Sequence, residues 1–188
     1  RMKALLTKLF FISAVLVIPS ASAQTHSNSY KSFSLGILGG EYGDDTGVGI
    51  EIGTPFLFNN RVSLRARANL NWLEAYKANF DKWVKYETLT TSLTYHALVV
   101  QRVRGYVEVG ALFVFPDKSF SDKKARQGLT SSIGVDLFVF TGPGLDVCYY
   151  FSGGYSLVKA TAEKLEDRPH YASGFVFNNG FRFYFSRP

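Results

Sequence analysis

Apolar and polar residues alternate strictly between Val62 and Trp72. Every second residue is apolar, and Arg65 and Arg67 are among the residues between them. In a β-strand this period places the apolar row on one face of the sheet and the arginines on the other. Two arginines on one face do not suit the core of a soluble sheet, whereas a barrel with lipid outside and polar groups inside accommodates both rows.

The same alternation recurs along the chain and predicts eight strands. Their predicted bounds are 32–42, 46–56, 61–72, 84–97, 105–115, 128–140, 144–155 and 171–185. An even number of strands of about 10 residues, each half apolar, is typical of bacterial transmembrane barrels. The pattern therefore predicts an all-β fold, an eight-stranded antiparallel up-and-down transmembrane β-barrel.

The predicted connections between strands differ in length. Short links follow the first, second, fourth and sixth strands, and long polar segments follow the third, fifth and seventh, at 73–83, 116–127 and 156–170. The short link after the fourth strand covers residues 98–104. Bacterial barrels have short periplasmic turns and longer external loops. We therefore expect the barrel to begin in the periplasm and to place its three long loops outside.

The rows opposite the apolar ones contain small and charged residues. An eight-stranded barrel encloses a lumen that side chains just fill, so inward glycines leave room for long arginines. We expect the acidic and basic side chains of these rows to pair in an interior ionic network. Its predicted members are Glu51, Arg65, Arg67, Glu108, Asp136, Asp146 and Arg182.

Aromatic residues near the strand ends predict two girdles at the membrane interfaces. The expected outer girdle comprises Tyr42, Trp72, Trp83, Tyr86, Phe115, Tyr155 and Tyr171. The expected inner girdle comprises Phe33, Phe56, Phe58, Phe140 and Phe185. Both girdles would fix the height of the barrel in the bilayer.

The first 23 residues have the three regions of a secretory signal peptide. Basic residues come first, residues 9–18 are an apolar stretch, and residues 19–23 end in an A-x-A cleavage pattern. The apolar stretch is too short for a transmembrane helix, which needs about 20 residues. We therefore expect a signal peptide at 1–23 and an outer-membrane β-barrel at 24–188.

The composition argues against nucleic-acid binding and against disulfide or zinc sites. The net charge is +6, but removal of residues 1–23 leaves 18 basic and 15 acidic residues, a net charge of +3. No block of Lys and Arg alternates with base-stacking aromatics, so nucleic-acid binding has no support. The single cysteine, Cys148, excludes an intramolecular disulfide, and no Cys/His cluster has zinc spacing. No cofactor is predicted.

Aromatic residues alternate through the last predicted strand, with the sequence FVFNNGFRFYF from Phe175 to Phe185. Together with the strand pattern and the signal peptide, this segment resembles the small eight-stranded outer-membrane barrels, the OmpA/OmpX-like outer membrane protein β-barrel family. The resemblance covers residues 32–185 as an architecture. It implies an integral location in the bacterial outer membrane and recognition of the last strand by the barrel-assembly machinery.

Some barrels of this kind are enzymes that act on lipid A, and the deacylases among them carry a His-x-Ser pair on one strand face, where the base reaches the nucleophile. His170 and Ser173 are three residues apart, so we expect them on opposite faces. His96 shares its face with Thr94, and we expect it across from Glu108, where these groups could form an acid–base set. An inward histidine is more often a hydrogen-bonding spacer.

These observations predict a non-enzymatic outer-membrane barrel, without an open general pore at this barrel size. Its expected role is structural or surface-interactive, carried by the three long loops. The expected partners are outer-membrane lipids and lipopolysaccharide, the barrel-assembly machinery, and a host or protein ligand at the loops; the expected state is a monomer. Two alternatives stay open: a lipid A-modifying outer-membrane enzyme, and a soluble periplasmic lipocalin-like carrier.

Overall fold

The structure is a computed structural model that describes residues 32–59, 61–77, 80–100, 102–165 and 168–185. The predicted signal peptide and the start of the mature chain lie outside the described residues. Eight strands are present: β1 (Phe33–Tyr42), β2 (Asp45–Gly53), β3 (Val62–Lys77), β4 (Phe80–Val100), β5 (Val103–Pro116), β6 (Arg126–Thr141), β7 (Leu145–Val158) and β8 (Gly174–Phe185). Over the described parts of the chain, no helix has the length and hydropathy needed to cross a membrane.

Each strand pairs antiparallel with its neighbours in sequence, and β1 pairs with β8. The closing pair runs from Phe33 opposite Phe185 to Tyr42 opposite Val176. The result is a closed up-and-down barrel, which confirms the predicted eight-stranded antiparallel fold. The connections after β1, β3, β5 and β7 lie at one end, called the loop end below, and those after β2, β4 and β6 lie at the other, called the turn end.

Strands β3 and β4 are longer than predicted. The predicted loop at 73–83 is wrong for most of its length, because β3 and β4 pair as far as Lys77 opposite Phe80. The predicted link at 98–104 is also too long, since β4 ends at Val100 and β5 begins at Val103. The alternation changes phase after Trp72: the next inward side chain, Leu73, is apolar and buried. A prediction that requires polar side chains on the inward row therefore ends the strand at Trp72, before its actual end.

At mid-height the barrel has an apolar outside and a polar inside. Ile50 and Ile133 on the outward rows are 62% and 69% exposed, whereas Asp136 and Arg182 on the inward rows are fully buried. This distribution is the reverse of a soluble globular domain, in which large apolar side chains are buried and charged ones are solvated.

Near the loop end the lumen is apolar. Its loop-end core consists of Tyr42, Leu73, Val84, Tyr86, Leu112, Val114, Phe120, Val158, Ala160, Ala162, Tyr171, Ala172 and Val176. Phe120 comes from the β5–β6 connection and Tyr171 from the β7–β8 connection, and their rings meet edge to face with centroids 5.2 Å apart. Both side chains are fully buried. The two connections therefore fold into the barrel mouth and close it.

The aromatic girdles are only partly as predicted. Tyr42, Tyr86 and Tyr171 point into the loop-end core, so their assignment to the outer girdle is wrong. Phe115 and Tyr155 are exposed on the outside, as expected of interfacial aromatics, whereas Trp83 is exposed on the part of β4 that extends past the end of its pairing with β5. At the turn end, Phe33, Phe58 and Phe140 are exposed, whereas Phe56 is buried in the lumen and is not a girdle residue.

Candidate functional site

Charged side chains fill the middle of the lumen. Arg182 on β8 is fully buried and donates hydrogen bonds to Glu51 on β2 and Asp136 on β6. The face of its guanidinium covers the ring of Tyr150, with the guanidinium carbon 3.6 Å from the ring centroid. Charge-assisted hydrogen bonds and this cation–π contact replace the water that the arginine loses on burial.

Two further arginines, both on β3, complete the cluster. Arg67 Nη2 lies 2.8 Å from Glu51 Oε2 and 3.3 Å from Glu108 Oε1. Arg65 Nη1 lies 3.4 Å from Glu108 Oε2, and its Nη2 lies 3.8 Å from Asp136 Oδ2. Three guanidinium groups thus face three carboxylates, and each buried charge has opposite charges beside it, as a low-dielectric site requires. We call Glu51, Arg65, Arg67, Glu108, Asp136 and Arg182 the ionic cluster.

Glycines on the inward rows create the space for these side chains. A Cβ at Gly36 would lie 3.2 Å from the Cβ of Glu51 and 3.5 Å from Cγ of Arg182. A Cβ at Gly134 would lie 2.4 Å from the ring of Tyr106. Small residues beside long ones are the sequence pattern that the filled lumen of an eight-stranded barrel requires.

The seventh predicted member of the network lies apart from the other six. Asp146 is buried, but it is the second residue of β7 at the turn end, where Thr141 and Tyr184 are its cross-strand partners. The contacts described above thus join six of the seven predicted residues, and Asp146 lies nearer the turn end.

One buried arginine escaped prediction. Arg104 lies at the turn end, with its guanidinium carbon 4.5 Å from the ring centroid of Phe138 and 5.5 Å from that of Phe56. Its position on the inward row of β5, two residues from Tyr106, was the available signal. The predicted strand began one residue later and excluded it. Cys148 is buried in the same turn-end cluster, on the inward row where the pattern places it.

The structure does not place the candidate acid–base groups opposite each other as predicted. His96 is opposite Tyr106 rather than Glu108, so its predicted partner is wrong by two residues along β5. Its Nε2 lies 3.5 Å from Arg65 Nη2, and its ring packs edge to face against Phe56 with centroids 4.8 Å apart. Glu108 is opposite Thr94. The histidine is a buried packing residue between a cation and an aromatic ring.

The histidine and serine near the start of β8 have separate partners. His170 Nδ1 lies 3.3 Å from Thr161 Oγ1. Ser173 Oγ donates to the backbone oxygen of Ser156 at 3.4 Å. Neither contact is that of a nucleophile with its base. Within the part of the chain that the structure describes, no group of His, Cys, Asp and Glu side chains could hold a metal ion.

Salt bridges join the two long connections above the loop-end core. Glu163 accepts hydrogen bonds from Ser121 Oγ at 2.8 Å and from Arg126 Nη2 at 2.7 Å. Lys164 Nζ lies 2.6 Å from a carboxylate oxygen of Asp122. The hydrogen bond from Ser121 and, to a smaller extent, the charge of Arg126 lower the pKa of the half-buried Glu163 carboxyl. These contacts hold Phe120 in the barrel mouth.

A buried carboxylate ties the β7–β8 connection to β2. Asp45 Oδ2 accepts a hydrogen bond from the Tyr86 hydroxyl at 2.5 Å and another from the Ala172 amide at 3.0 Å. Ala172 has a φ of 55°, a conformation that costs a non-glycine residue about 1–3 kcal/mol and persists only where surrounding contacts enforce it. Asp45 therefore fixes the strained end of this connection.

The fold and the lumen define a class: a small closed antiparallel barrel with an ionic middle and a mouth closed by its own loops. The chain is similar in fold to the N-terminal β-barrel domain of Pseudomonas aeruginosa OprF, with 19% identity, a TM-score of 0.49, and coverage of 82% of this chain and 98% of that one. It is also similar to the outer membrane protein OprG of the same organism, with 12% identity, a TM-score of 0.49, and coverage of 85% and 96%. No family model and no curated protein matches the sequence.

Proposed function

We propose that this chain is an integral outer-membrane β-barrel whose role is structural or surface-interactive, carried by its loop end. The observation that carries the proposal is the band of exposed apolar side chains around the mid-height of the barrel, which includes Leu35, Ile37, Val48, Ile50, Ile52, Leu64, Leu93, Val107, Val109, Ile133 and Phe181. Monomeric soluble proteins rarely expose a continuous apolar surface of this kind. A transmembrane barrel requires it.

The lumen supports the same proposal. A lipocalin-like carrier would need an apolar, open interior for its ligand, whereas the ionic cluster fills this one with buried charges. An open pore would need a continuous aqueous path past Arg182 and Phe120, both fully buried. We accordingly assign the lumen a stabilising role and propose that it has neither a catalytic nor a general-transport role.

Cell fractionation followed by gel mobility tests the membrane location. We expect the mature chain in the outer-membrane fraction, soluble only with detergent, and a mobility that shifts on boiling because the folded barrel resists the detergent unheated. Recovery as a detergent-free soluble protein would contradict the proposal and leave the periplasmic carrier as the leading alternative.

The interaction surface that the geometry favours is the ribbon formed by the loop-end parts of β3 and β4. The β2–β3 pairing ends at Trp72, and the β4–β5 pairing ends at Tyr86, while β3 and β4 continue together to Lys77 and Phe80. Among the described residues, 73–77 therefore pair on one side only. An unpaired strand edge is a template on which an extended segment of another protein adds a strand through backbone hydrogen bonds.

Trimming the ribbon tests this surface. Glu74 and Trp83 are cross-strand partners, so an Asn-Gly turn can replace residues 75–82 and reconnect them in register. We expect cells that display the wild-type chain to adhere to a host-cell monolayer and cells that display the trimmed chain to adhere no better than the empty strain. The heat-dependent gel shift controls for folding. Equal adhesion of both would contradict the ribbon as the binding surface.

A further inference from the structure

We propose that the outward face of β4–β8 binds one anionic, phosphate-bearing lipid, with an acyl chain in a groove across these strands and the phosphate beside Lys159. The inference rests on the membrane location proposed above and adds a specific site to it.

The groove has a volume of about 670 Å³ and crosses five strands, from Leu93 and Tyr95 on β4 to Phe175 on β8. Its walls include Val109, Ile133 and Phe175, and its floor is where the outward side chains are small, at Ser131 and Gly153. A Cβ at Gly153 would meet only the ring of Phe175, at 3.6 Å, so the missing side chain leaves open space rather than relieving a clash. The groove is continuous with the apolar band. In a membrane this band contacts acyl chains, so an acyl chain is the expected occupant of the groove.

Polar side chains lie at the loop-end side of the groove and beyond it, where the headgroup of a lipid in the groove would lie. Gly153, Tyr155, Leu157 and Lys159 are successive outward positions along β7 and just beyond its end, about 7 Å apart. Ser131, on the groove floor, is the cross-strand partner of Tyr155, so two hydroxyl-bearing side chains lie side by side in the groove. An acyl chain and its ester would contact the apolar walls and these two hydroxyl groups, and the phosphate would reach the ammonium group of Lys159 past the exposed Leu157.

The opposite flank of the barrel provides a contrast. A smaller groove of about 380 Å³ crosses β2–β5, and its lining includes Glu87, a carboxylate where a lipid phosphate would lie. Beyond β8, the amide of Gly43 bonds to Phe175, which places the exposed Asp44 on that side of the first groove. Repulsion by these acids confines a phosphate to the β7 side, where Lys159 lies.

Native mass spectrometry of the barrel released from nanodiscs tests the site. The nanodiscs contain zwitterionic phosphatidylcholine with a minority of phosphatidylglycerol, and the heat-dependent gel shift first confirms insertion of each variant. We expect the wild-type chain to retain one phosphatidylglycerol. Gly153→Ile fills the groove and should abolish retention, and Lys159→Gln should lower it about fivefold, the factor typical of one basic residue beside an anionic lipid surface.

Matched variants control for nonspecific effects. Gly39 is also an outward glycine, whose Cβ would meet nothing nearer than 3.9 Å, so Gly39→Ile adds the same side chain elsewhere on the outside. Lys85→Gln removes a charge on the flank of Glu87. Both should retain the lipid as the wild type does. Retention of the two lipids in their bulk ratio would overturn the site, as would an equal loss of phosphatidylglycerol in the Gly39 and Gly153 variants. Either result would leave the proposed membrane location intact. Failure of the wild type to insert would overturn both the site and the membrane location.

Discussion

Two levels of the same barrel have opposite polarity. At mid-height on β4, Leu93 points outward and is exposed, while Thr94 points inward and is buried. Nearer the loop end on the same strand, Lys85 points outward into solvent, while Val84 points inward and is buried in the loop-end core. The strand keeps its period of two, but the row that is apolar changes.

The difference teaches that alternation reports only that the two faces of a strand meet different surroundings. Which face is apolar depends on the medium outside. Where the outside is hydrocarbon, polar groups must be inside, and where the outside is water, the usual soluble arrangement returns. On β4 the change falls between Leu89, the first exposed apolar residue of the mid-height band, and Glu87, which is exposed and charged. With the membrane location proposed above, this step marks the outer membrane surface.

The largest expected loss of stability comes from a substitution in the ionic cluster at mid-height. Arg182→Met removes the cation that contacts both Glu51 and Asp136 and leaves two buried carboxylates undercompensated. Removal of one partner of a buried ion pair typically costs about 3–5 kcal/mol, so we expect the free energy of unfolding in detergent to fall by about that amount. Urea denaturation followed by tryptophan fluorescence measures it.

The loop end offers a matched control. Arg126 also pairs with a glutamate, Glu163, but its side chain is 27% exposed. Exposed pairs contribute about 0–1 kcal/mol, so Arg126→Met should change the unfolding free energy little. Equal losses in the two variants would show that burial in the lumen does not distinguish the ionic cluster from a surface salt bridge.

The second largest expected loss of stability comes from a charged substitution on the outside of the barrel at mid-height. Ile52 and Thr46 lie on the same outward row of β2, and Ile52 has the apolar cross-strand partners Leu35 and Ala66. Arginine near the bilayer midplane costs about 2–4 kcal/mol, so Ile52→Arg should destabilise the barrel in lipid vesicles by about that amount. Thr46→Arg, close to the loop end, should cost less than about 0.5 kcal/mol. Equal costs would place both positions in the same medium and contradict the proposed boundary.

The mid-height barrel was predictable from sequence because all its information is local. The period of two identifies each row, and charged residues such as Arg65 and Glu108 mark the inward one. Closure then brings six of the seven predicted charges together, since an eight-stranded lumen has no room to keep them apart. Asp146 lies nearer the turn end of β7, at a height that alternation does not encode.

The loop end was not predictable in the same way. Phe120 and Tyr171 lie in segments without alternation, and they are buried because two connections about 50 residues apart in sequence meet across the barrel mouth. Tyr86 was assigned to a girdle because an aromatic near a strand end is typical of one. Its actual inward position follows from the period of two, which places it on the row of Thr88 and Thr90, and the change of medium along β4 explains why an apolar ring suits that row there.

A smaller effect comes from exchanging two isosteric side chains between the two interiors. Val114 is fully buried in the loop-end core, and Val114→Thr introduces a hydroxyl without a partner at a cost of about 1–3 kcal/mol. Thr94 is buried at mid-height, and its Oγ1 has no hydrogen-bond partner among the described residues. Thr94→Val should therefore leave the unfolding free energy unchanged or raise it. A larger loss for Thr94→Val than for Val114→Thr would mean that the mid-height lumen requires every hydroxyl group it contains.

The smallest effect depends on pH and concerns the loops alone. The hydrogen bond from Ser121, followed by the charge of Arg126, lowers the pKa of Glu163, so the ionised carboxylate is the form that joins the two connections. Its stabilisation is complete above the ordinary glutamate pKa near 4.5 and is lost as the pH falls through the lower, folded-state pKa. Amide hydrogen exchange, corrected for its intrinsic pH dependence, should show residues 117–125 and 159–165 losing protection in acid while β1 and β8 keep theirs. In Glu163→Gln, the loop amides should be less protected from hydrogen exchange than in the wild type. Their protection should no longer change as the pH falls below the ordinary glutamate pKa. If the pH response persists in Glu163→Gln, another group titrates. The salt bridges of Glu163 would then not be what keeps the barrel mouth closed.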